Sequence, residues 1–511
     1  MHHFKSTMKV NMKKQIIALV TGSFIAFTMV SCFDLSETVY SEIPVGTFFK
    51  TEKDVIAYAG RAYVGLQLFP EEQRLWSLGE NASDELVIPE KHNGEWYEQG
   101  RWEDIQKHKL APNNKILTKS WEMVFAGITA CNEILAVITP IDFEGKERVI
   151  AEIHILRAYY YYWALDYWGN IPFTVDYSNQ ELPEQKNRAF VYDFIVQEVL
   201  DHIDAIQELP TPEYYGRVTK GMAYTLLAKM YINAQEWIGQ NKFADAVEAC
   251  DQVIALNAYE IEDDYFANFI VHNEGSRENI FVIPFHPQLT DEHFYWSHLT
   301  LNSASRATFN MVGIPWDGFV LPPDFFTKYA EDDIRRKSFL FGQQYDIDGN
   351  PIFVNGEPFI YTPTIANYHS RGEWEGARCA KYEYQEELSY DVIDMENDFV
   401  LFRYADVLYT KLEALHWLGR AGEMINDPDL QKIRTRAGLA PYTLTDITDE
   451  ELLDELGREF AWEGHRRQDQ IRFGVWGHAW WEKPVTGPNT KLFPIPQSAL
   501  NTNPNLIQNP Q

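Results

Sequence analysis

The sequence predicts a mainly α-helical fold, and two observations support this prediction. Apolar residues recur at intervals of three and four in several long segments, whereas few stretches show the strict alternation of half-buried strands. Helix start and stop signals bound several of these segments. With 511 residues, 45% of them hydrophobic and 14% aromatic, the chain can also bury a large core.

The clearest helix precedes Gly169 and Pro172, which end it. Its apolar face consists of Val149, Ile153, Leu156, Tyr160, Trp163 and Tyr167. A second helix is expected to end near Gly419. Its apolar face consists of Leu401, Ala405, Leu408, Leu412 and Leu415.

A pair of helices between residues 223 and 254 has the pattern of a repeat hairpin. Small alanines allow two helices to approach while aromatic side chains fill the groove, as in tetratricopeptide repeats. The residues in question are Ala223, Ala228 and Tyr231 on the first helix and Phe243, Ala246, Cys250 and Ile254 on the second. No regular 34-residue period continues beyond them, so we expect a few degenerate hairpins rather than a solenoid.

A C-terminal helix is predicted to begin at Thr448. Thr448 is a favourable N-cap, Glu451 follows at the capping-box spacing, and Ile447 is positioned to pack on Leu452. Three long stretches between the helical segments are rich in proline, glycine, asparagine and aromatic residues, namely 80–112, 286–323 and 345–381. Insertions of this length in a compact helical protein are usually functional.

The amino terminus has the layout of an export signal. Lys13 and Lys14 precede a short apolar stretch, and the small residue Ser31 stands directly before Cys32. Residues 29–32 resemble a lipoprotein cleavage box, so we predict a signal peptide over 1–31 and acylation of Cys32. The alternative is a soluble secreted protein with an ordinary cysteine near its start.

Charge and cysteine content exclude several classes of function. A formal net charge of -31 opposes binding to nucleic acid and to anionic lipid headgroups. Cys131, Cys250 and Cys379 lack the spacing of zinc or redox motifs, so we expect plain buried thiols. Hydrolase, zinc-protease, phosphate-binding and dinucleotide motifs are missing from the sequence, and we predict no cofactor or metal.

The charged segment 458–472 admits two interpretations. Glu459, Glu463, His465 and Asp469 lie close together, and paired carboxylates could serve glycoside hydrolysis. Four interleaved arginines, however, favour ionised carboxylates over a protonated acid. These arginines are Arg458, Arg466, Arg467 and Arg472. We therefore expect a structural ion network and no catalytic residue.

Ten short blocks, in order along nearly the whole mature chain, resemble the SusD/RagB family of surface glycan-binding lipoproteins. The most specific are LRAYYY (156–161), YWGNIP (167–172), LFRYADVL (401–408), IRTRAGL (433–439), REFAWEGHRR (458–467) and NPNLIQNP (503–510). The others are residues 48–54, 58–63, 83–85 and 493–496. Coincidence does not account for so many blocks in one order.

The resemblance implies a few tetratricopeptide-like helical hairpins that support an irregular, loop-rich ligand-binding lobe. Residues 32–511 would form one unit, in which an N-terminal part to about residue 300 intertwines with a C-terminal part from 301. The family also implies an outward-facing position on the outer membrane and a SusC-like TonB-dependent transporter as partner. Its ligand would be an oligosaccharide. The alternatives are a protein of the same family that binds peptides, or a surface glycosidase.

Glycan binding requires flat aromatic faces for stacking and polar groups that pair with hydroxyls. The irregular stretches contain such residues, and family members build their aromatic platforms from loops in these regions. The predicted stacking residues are Trp96, Tyr295 or Trp296, and Trp316, and the predicted polar contacts are Asp84, Asn93 and Asp317. Trp163, Trp168 and Trp462, which lie in helical segments, are assigned to packing.

Overall fold

The computed structural model describes residues 49, 51–286, 288–290, 294–386 and 393–510. The predicted signal peptide and Cys32 lie outside these residues. Helices dominate the described part, which confirms the predicted fold class.

The α-helices of the described residues are numbered in chain order. They are α1 Glu52–Ala59, α2 Arg61–Gln67, α3 Leu75–Ala82, α4 Arg101–Gln106, α5 Lys115–Ile138, α6 Lys146–Trp168, α7 Arg188–His202, α8 Lys220–Ile238, α9 Phe243–Ala255, α10 Trp296–Thr300, α11 Arg306–Phe309, α12 Pro323–Phe326, α13 Tyr404–Trp417, α14 Pro428–Arg436, α15 Asp449–Phe460, α16 Arg466–Arg472 and α17 Gln497–Thr502.

Short strands pair two by two in antiparallel ribbons. They are β1 Ile171–Pro172, β2 Gln185–Lys186, β3 Asn279–Ile283, β4 Phe339–Leu340, β5 Gly342–Gln343, β6 Phe353–Val354, β7 Glu357–Pro358, β8 Ile360–Tyr361, β9 Arg378–Cys379 and β10 Phe399–Arg403. The pairs are β1–β2, β3–β10, β4–β9, β5–β8 and β6–β7.

Strand β10 corrects one sequence prediction. The sequence pattern predicts that Leu401 belongs to a helix, but this residue lies in β10, which pairs with β3 in the register Phe399 to Ile283. Every residue of β10 is buried, and a short continuous apolar run cannot be assigned to helix or strand by periodicity alone. The helix α13 begins only at Tyr404.

Helices α5 and α6 form the centre of the fold. Helix α6 is buried on almost all sides from Val149 to Trp168, so it lacks the polar face of a surface helix. Gly127 of α5 allows the close approach, because a Cβ atom there would lie 2.3 Å from Cε1 of Tyr160. By length and composition α5 could also span a membrane, but this is weak evidence, since more than half of the apolar window is buried in the fold.

The predicted repeat hairpin is confirmed. Helices α8 and α9 pack on each other, and Ala223, Ala228, Ala246 and Cys250 are all buried at or near their contact. Helix α13 packs against α9 and extends the layer. Helices α5, α6 and α7 form a preceding set of packed neighbours, so the scaffold is a short series of helical hairpins.

The predicted start of the C-terminal helix is also confirmed. The Thr448 side chain accepts a hydrogen bond from the Glu451 backbone N–H at 3.2 Å, as an N-cap does. The Glu451 carboxylate forms an ion pair with the Arg458 guanidinium, at 2.6 Å, instead of acting as the capping-box partner of Thr448.

A buried ion network joins β10, α14 and α15. Arg403 donates to Glu463 at 2.8 Å, and to Glu278 and Glu459 at 2.7 Å. Burial alone would raise the pKa of Glu459, but the guanidinium groups of Arg403, Arg436 and Arg335 hold that pKa below its ordinary value. Glu459 and Glu463 therefore lie in a buried ion network, as expected, but the cations of their salt bridges come from outside segment 458–472. Of the interleaved arginines, Arg472 pairs with Asp469 at 2.7 Å.

Two further predictions are confirmed by burial. Trp163, Trp168 and Trp462 all lie in the core. Cys131, Cys250 and Cys379 are free, buried thiols.

Arg403→Met is expected to lower the free energy of unfolding by about 3–5 kcal/mol, because it leaves three buried carboxylates without their shared cation. Urea unfolding measures this difference. Arg420→Met is the matched control, since Arg420 pairs with Glu423 on the exposed surface, where a loss within about 0.5 kcal/mol is expected. An equal loss of unfolding free energy in the two variants would contradict the claim that burial makes the Arg403 ion pairs important for stability.

A second buried cluster contains two carboxyl groups whose charge is poorly compensated. Glu80 accepts a hydrogen bond from the Gly464 N–H at 2.7 Å, and Glu85 accepts one from the Trp462 N–H at 3.0 Å. Burial raises the pKa of Glu80 to about 7. Burial and the neighbouring Glu80 charge also raise the pKa of Glu85. As the pH rises, the unfolded chain therefore loses the proton from this carboxyl pair at a lower pH than the folded protein does.

Glu80→Gln is expected to stabilise the protein by about 1–3 kcal/mol near pH 8, with little effect near pH 5. A raised pKa in the folded state gives stability that is present at low pH and is lost as the pH rises toward 7. The amide mimics the protonated acid and removes this loss. Melting temperatures at the two pH values measure the effect, and a stabilisation independent of pH would contradict it.

Asp84→Asn serves as the control for the same segment. Arg466 holds the pKa of Asp84 below its ordinary value despite burial. The amide would remove the ion pair with Arg466, and we therefore expect destabilisation near pH 8 rather than stabilisation.

Candidate ligand-binding cleft

Three irregular segments enclose an open cleft of about 560 Å³. They contribute residues from 91–98, 302–317 and 373, so each predicted irregular stretch supplies part of the wall. The lining residues are Glu72, Lys91, Asn93, Glu95, Trp96, Glu98, Asn302, Ser303, Ile314, Pro315, Trp316, Asp317 and Glu373. We call this the main cleft.

Two tryptophans form the aromatic wall of the main cleft. Trp316 is 40% exposed and stands edge-on to Tyr295, with ring centroids 5.5 Å apart. The indole N–H of Trp96 donates to the Trp316 carbonyl at 2.8 Å, which ties the two loops together. Large aromatic side chains that are held but only partly covered offer a flat apolar face to a ligand.

The position of Trp96 depends on Gly318. A Cβ atom at residue 318 would lie 2.3 Å from Cε2 of Trp96, so only glycine permits this contact. Trp96 also packs edge-on against Phe319, with 5.8 Å between ring centroids. The Trp96 ring therefore packs on the backbone of the segment that contains Trp316.

Asp317 forms the charged floor of the main cleft. Its carboxylate lies 2.7 Å from Arg378, 3.4 Å from Arg371 and 3.6 Å from Lys91. Burial lowers the pKa of Arg371 to about 10. Asp317 is itself buried, so its first role is to anchor these cations.

Arg371 and Arg378 in turn hold the third irregular stretch, 345–381, in place. Arg378 donates to the carbonyls of Glu375 and Glu373 at 2.7 and 2.9 Å. Its guanidinium also lies 4.7 Å from the Tyr361 ring centroid. The loops are therefore organised before any ligand arrives, which lowers the entropic cost of binding.

Most of the predicted site residues meet in this cleft. Trp96, Trp316, Asn93 and Asp317 line it. Tyr295 is half-buried beside Trp316, where burial and the carboxylates of Glu71 and Glu72 raise its pKa. It is not among the residues that line the main cleft, so its stacking on a ligand stays a prediction.

Two predicted residues lie elsewhere. Trp296 is only 1% exposed; its indole N–H donates to the Pro70 carbonyl at 3.0 Å, and its ring lies 4.2 Å from that of Trp76. The prediction that it stacks on a ligand is wrong, because core residues cover both faces. Asp84 is buried against Arg466 at 2.6 Å, away from the main cleft, so it is no hydroxyl contact there.

Several lining residues escaped the sequence prediction. Lys91, Asn302, Ser303 and Glu373 are short or charged residues of the irregular stretches, and Glu72 follows α2 closely. The composition of these stretches points to their aromatic side chains as ligand contacts and gives no separate signal for the short polar residues. Asn302 could have been noted as an amide in the same stretch as Trp316, and it donates to Asp317 at 3.1 Å.

A group suited to a metal ion lies outside the main cleft. His154, Glu198 and His202 place ligand atoms within 4.8 Å of one another. The Arg157 guanidinium, however, donates to Glu198 at 2.9 Å and lies 3.0 Å from Nδ1 of His154. A fixed cation at this place disfavours a second one.

The fold and the cleft define a helical binding protein, in which hairpins support an aromatic-lined site made of loops. A family profile described as "SusD family" matches residues 323–486, and one described as "Starch-binding associating with outer membrane" matches residues 61–232. The chain belongs to the SusD/RagB family.

Relatives cover most of the chain. The starch-binding protein SusD of Bacteroides thetaiotaomicron is 27% identical over 71% of this chain and 72% of its own length. SusD-like protein P2 of Formosa agariphila is 22% identical over 98% of this chain and 99% of its own.

Solved structures share the fold. Surface glycan-binding protein A of Bacteroides uniformis has a TM-score of 0.74 at 20% identity, over 90% of this chain and 99% of that chain. Surface glycan-binding protein A of Bacteroides thetaiotaomicron, in complex with laminarihexaose, has a TM-score of 0.73 at 21% identity over the same shares of the two chains.

Proposed function

We propose that the chain captures oligosaccharide in the main cleft and delivers it unchanged to a SusC-like TonB-dependent transporter. The observation that carries this proposal is the tethered pair Trp96 and Trp316 above a floor of amides and carboxylates. Indole faces stack on sugar C–H surfaces, and such polar groups pair with hydroxyls. The laminarihexaose complex of one structural neighbour and the starch-binding name of one relative support this ligand class.

The proposal includes a lipid anchor. Cleavage after residue 31 would leave Cys32 at the new amino terminus, where acyl chains hold the protein on the outer membrane facing the exterior. The description of one matching family profile as outer-membrane associated supports this location. The residues after Cys32 would then serve as a tether for a lid over the transporter.

Two other functions compete with this one. A peptide ligand would occupy the same cleft, and the aromatic wall alone does not distinguish a peptide from an oligosaccharide. A surface glycosidase would need one protonated and one ionised carboxyl group. Glu459 and Glu463 are buried, and neighbouring cations hold their pKa values below the ordinary value, so neither supplies a proton.

Trp316→Ala is expected to weaken oligosaccharide binding about tenfold, or ~1.4 kcal/mol, because it removes the most exposed stacking face of the main cleft. Calorimetry with a panel of oligosaccharides and peptides, followed by chromatography of the recovered ligand, measures affinity and cleavage together.

Tyr177→Ala is the matched control, since Tyr177 is an exposed aromatic residue outside the main cleft. Its affinity should equal that of the parent protein. Unchanged binding by the Trp316 variant would contradict the site, binding of peptides alone would favour peptide cargo, and shortened sugar products would contradict the assignment as a binding protein.

Cys32→Ala is expected to release a folded protein that still binds ligand but no longer supports uptake, because the acylated sulfur is gone. Membrane fractionation and incorporation of labelled fatty acid measure the anchor, and growth on the ligand measures uptake. Ser36→Ala, close to the same position, should remain acylated and attached. Membrane attachment of the Cys32 variant would contradict the anchor.

A further inference from the structure

A second cleft, of about 600 Å³, lies between α15, α16 and the segment that follows α16. Its lining residues are all different from those of the main cleft. Asp324, Lys328, Phe473 and Trp480 are among its lining residues. We call it the second cleft.

Gln470 is the feature of the second cleft that points to a ligand. It is only 5% exposed, it lines the cleft, and its side-chain amide makes no hydrogen bond to any part of the chain that the structure describes. Neither amide atom of Gln470 is fully enclosed, so the amide is accessible from the cleft and can pair with a ligand there. Gln468, on the same helix and 8% exposed, is already paired within the protein, since its amide donates to the Tyr162 hydroxyl at 3.0 Å and accepts from Asn233 at 2.9 Å.

Trp480 supplies an aromatic face beside this amide. The side chain is half-buried and packs against the cluster of Val87, Val320 and Ile365. Its indole N–H has no acceptor among the described residues. An aromatic ring that is supported on one side and carries a free donor suits a ligand with both C–H faces and hydroxyl groups.

Carboxylates surround these two groups. Asp454 pairs with Lys328 at 2.5 Å, and Asp324 accepts a hydrogen bond from the Trp481 N–H at 2.7 Å. Each carboxylate retains further acceptor capacity, because a carboxylate has about four lone-pair sites. Acceptors, an amide and an aromatic face therefore meet in one place, as they do in the main cleft.

The segment that carries Trp480 is fixed in place. The buried Lys483 donates from its side chain to the His478 carbonyl at 2.9 Å and from its backbone to the Trp480 carbonyl at 2.7 Å. These bonds hold the aromatic face next to α16 in the free protein, and a preformed site binds with a smaller ordering cost.

We propose that the second cleft is a second oligosaccharide site, with Trp480 as its stacking face and Gln470 as its hydroxyl-reading amide. The ligand class rests on the function proposed for the main cleft, whose chemistry the second cleft repeats. Two sites on one chain would hold a long glycan at two points and slow its release.

The test uses the full mature chain labelled with fluorinated tryptophan and observed by fluorine NMR. Trp316→Phe and Trp480→Phe assign the signal of each cleft, so each ring reports on its own site. Laminarihexaose and a starch oligosaccharide are titrated as probes, and trilysine tests for a cationic ligand.

The expected result is a shift of the Trp480 signal with an oligosaccharide, retained in Trp316→Ala. Gln470→Ala should weaken that binding about fivefold. Gln468→Ala, the matched control on the same helix, should leave the oligosaccharide affinity of the second cleft unchanged.

The other outcomes separate the two proposals. A shift of Trp316 alone would overturn the second site and leave the main cleft standing. A shift of Trp480 alone would uphold the second site and overturn the main one, and no shift in either ring would overturn both. A response of Trp480 to trilysine alone would overturn the carbohydrate assignment.

Discussion

The need to neutralise buried charge around Arg403 governs the arrangement of this protein. Arg403 ends β10. Its partner Glu278 lies 125 residues away in the chain, and its partners Glu459 and Glu463, which share one segment, lie 56 and 60 residues away. Each group would be costly in the core alone, so all of them have to arrive together. The network therefore ties the repeat-like hairpins to the C-terminal helices.

A similar constraint organises the main cleft on a smaller scale. Asp317 draws Arg371 and Arg378 to one point, and these two arginines hold the third irregular segment through backbone carbonyls. The loops are irregular in secondary structure but well fixed by charge-assisted hydrogen bonds. Trp96 and Trp316 can therefore present a rigid wall without belonging to a helix or strand.

The sequence predicted the region of the site better than its individual residues. Trp96, Trp316, Asn93 and Asp317 converge, whereas Trp296 lies in the core beside Trp76. Adjacent aromatic residues such as Tyr295 and Trp296 look alike in composition. Only the turn of the chain at the start of α10 decides which ring faces inward, and that turn depends on partners from distant segments.

Local periodicity and short motifs were sufficient to predict the mainly helical fold, the N-cap at Thr448, the buried thiols and the resemblance to a family. Which charges pair and which aromatic faces stay open follows from contacts between segments that are distant in the chain. Trp96 and Trp316 are 220 residues apart, and Asp84 and Arg466 are 382 apart. Burial and ion pairing at such separations depend on the completed fold, which local patterns do not encode.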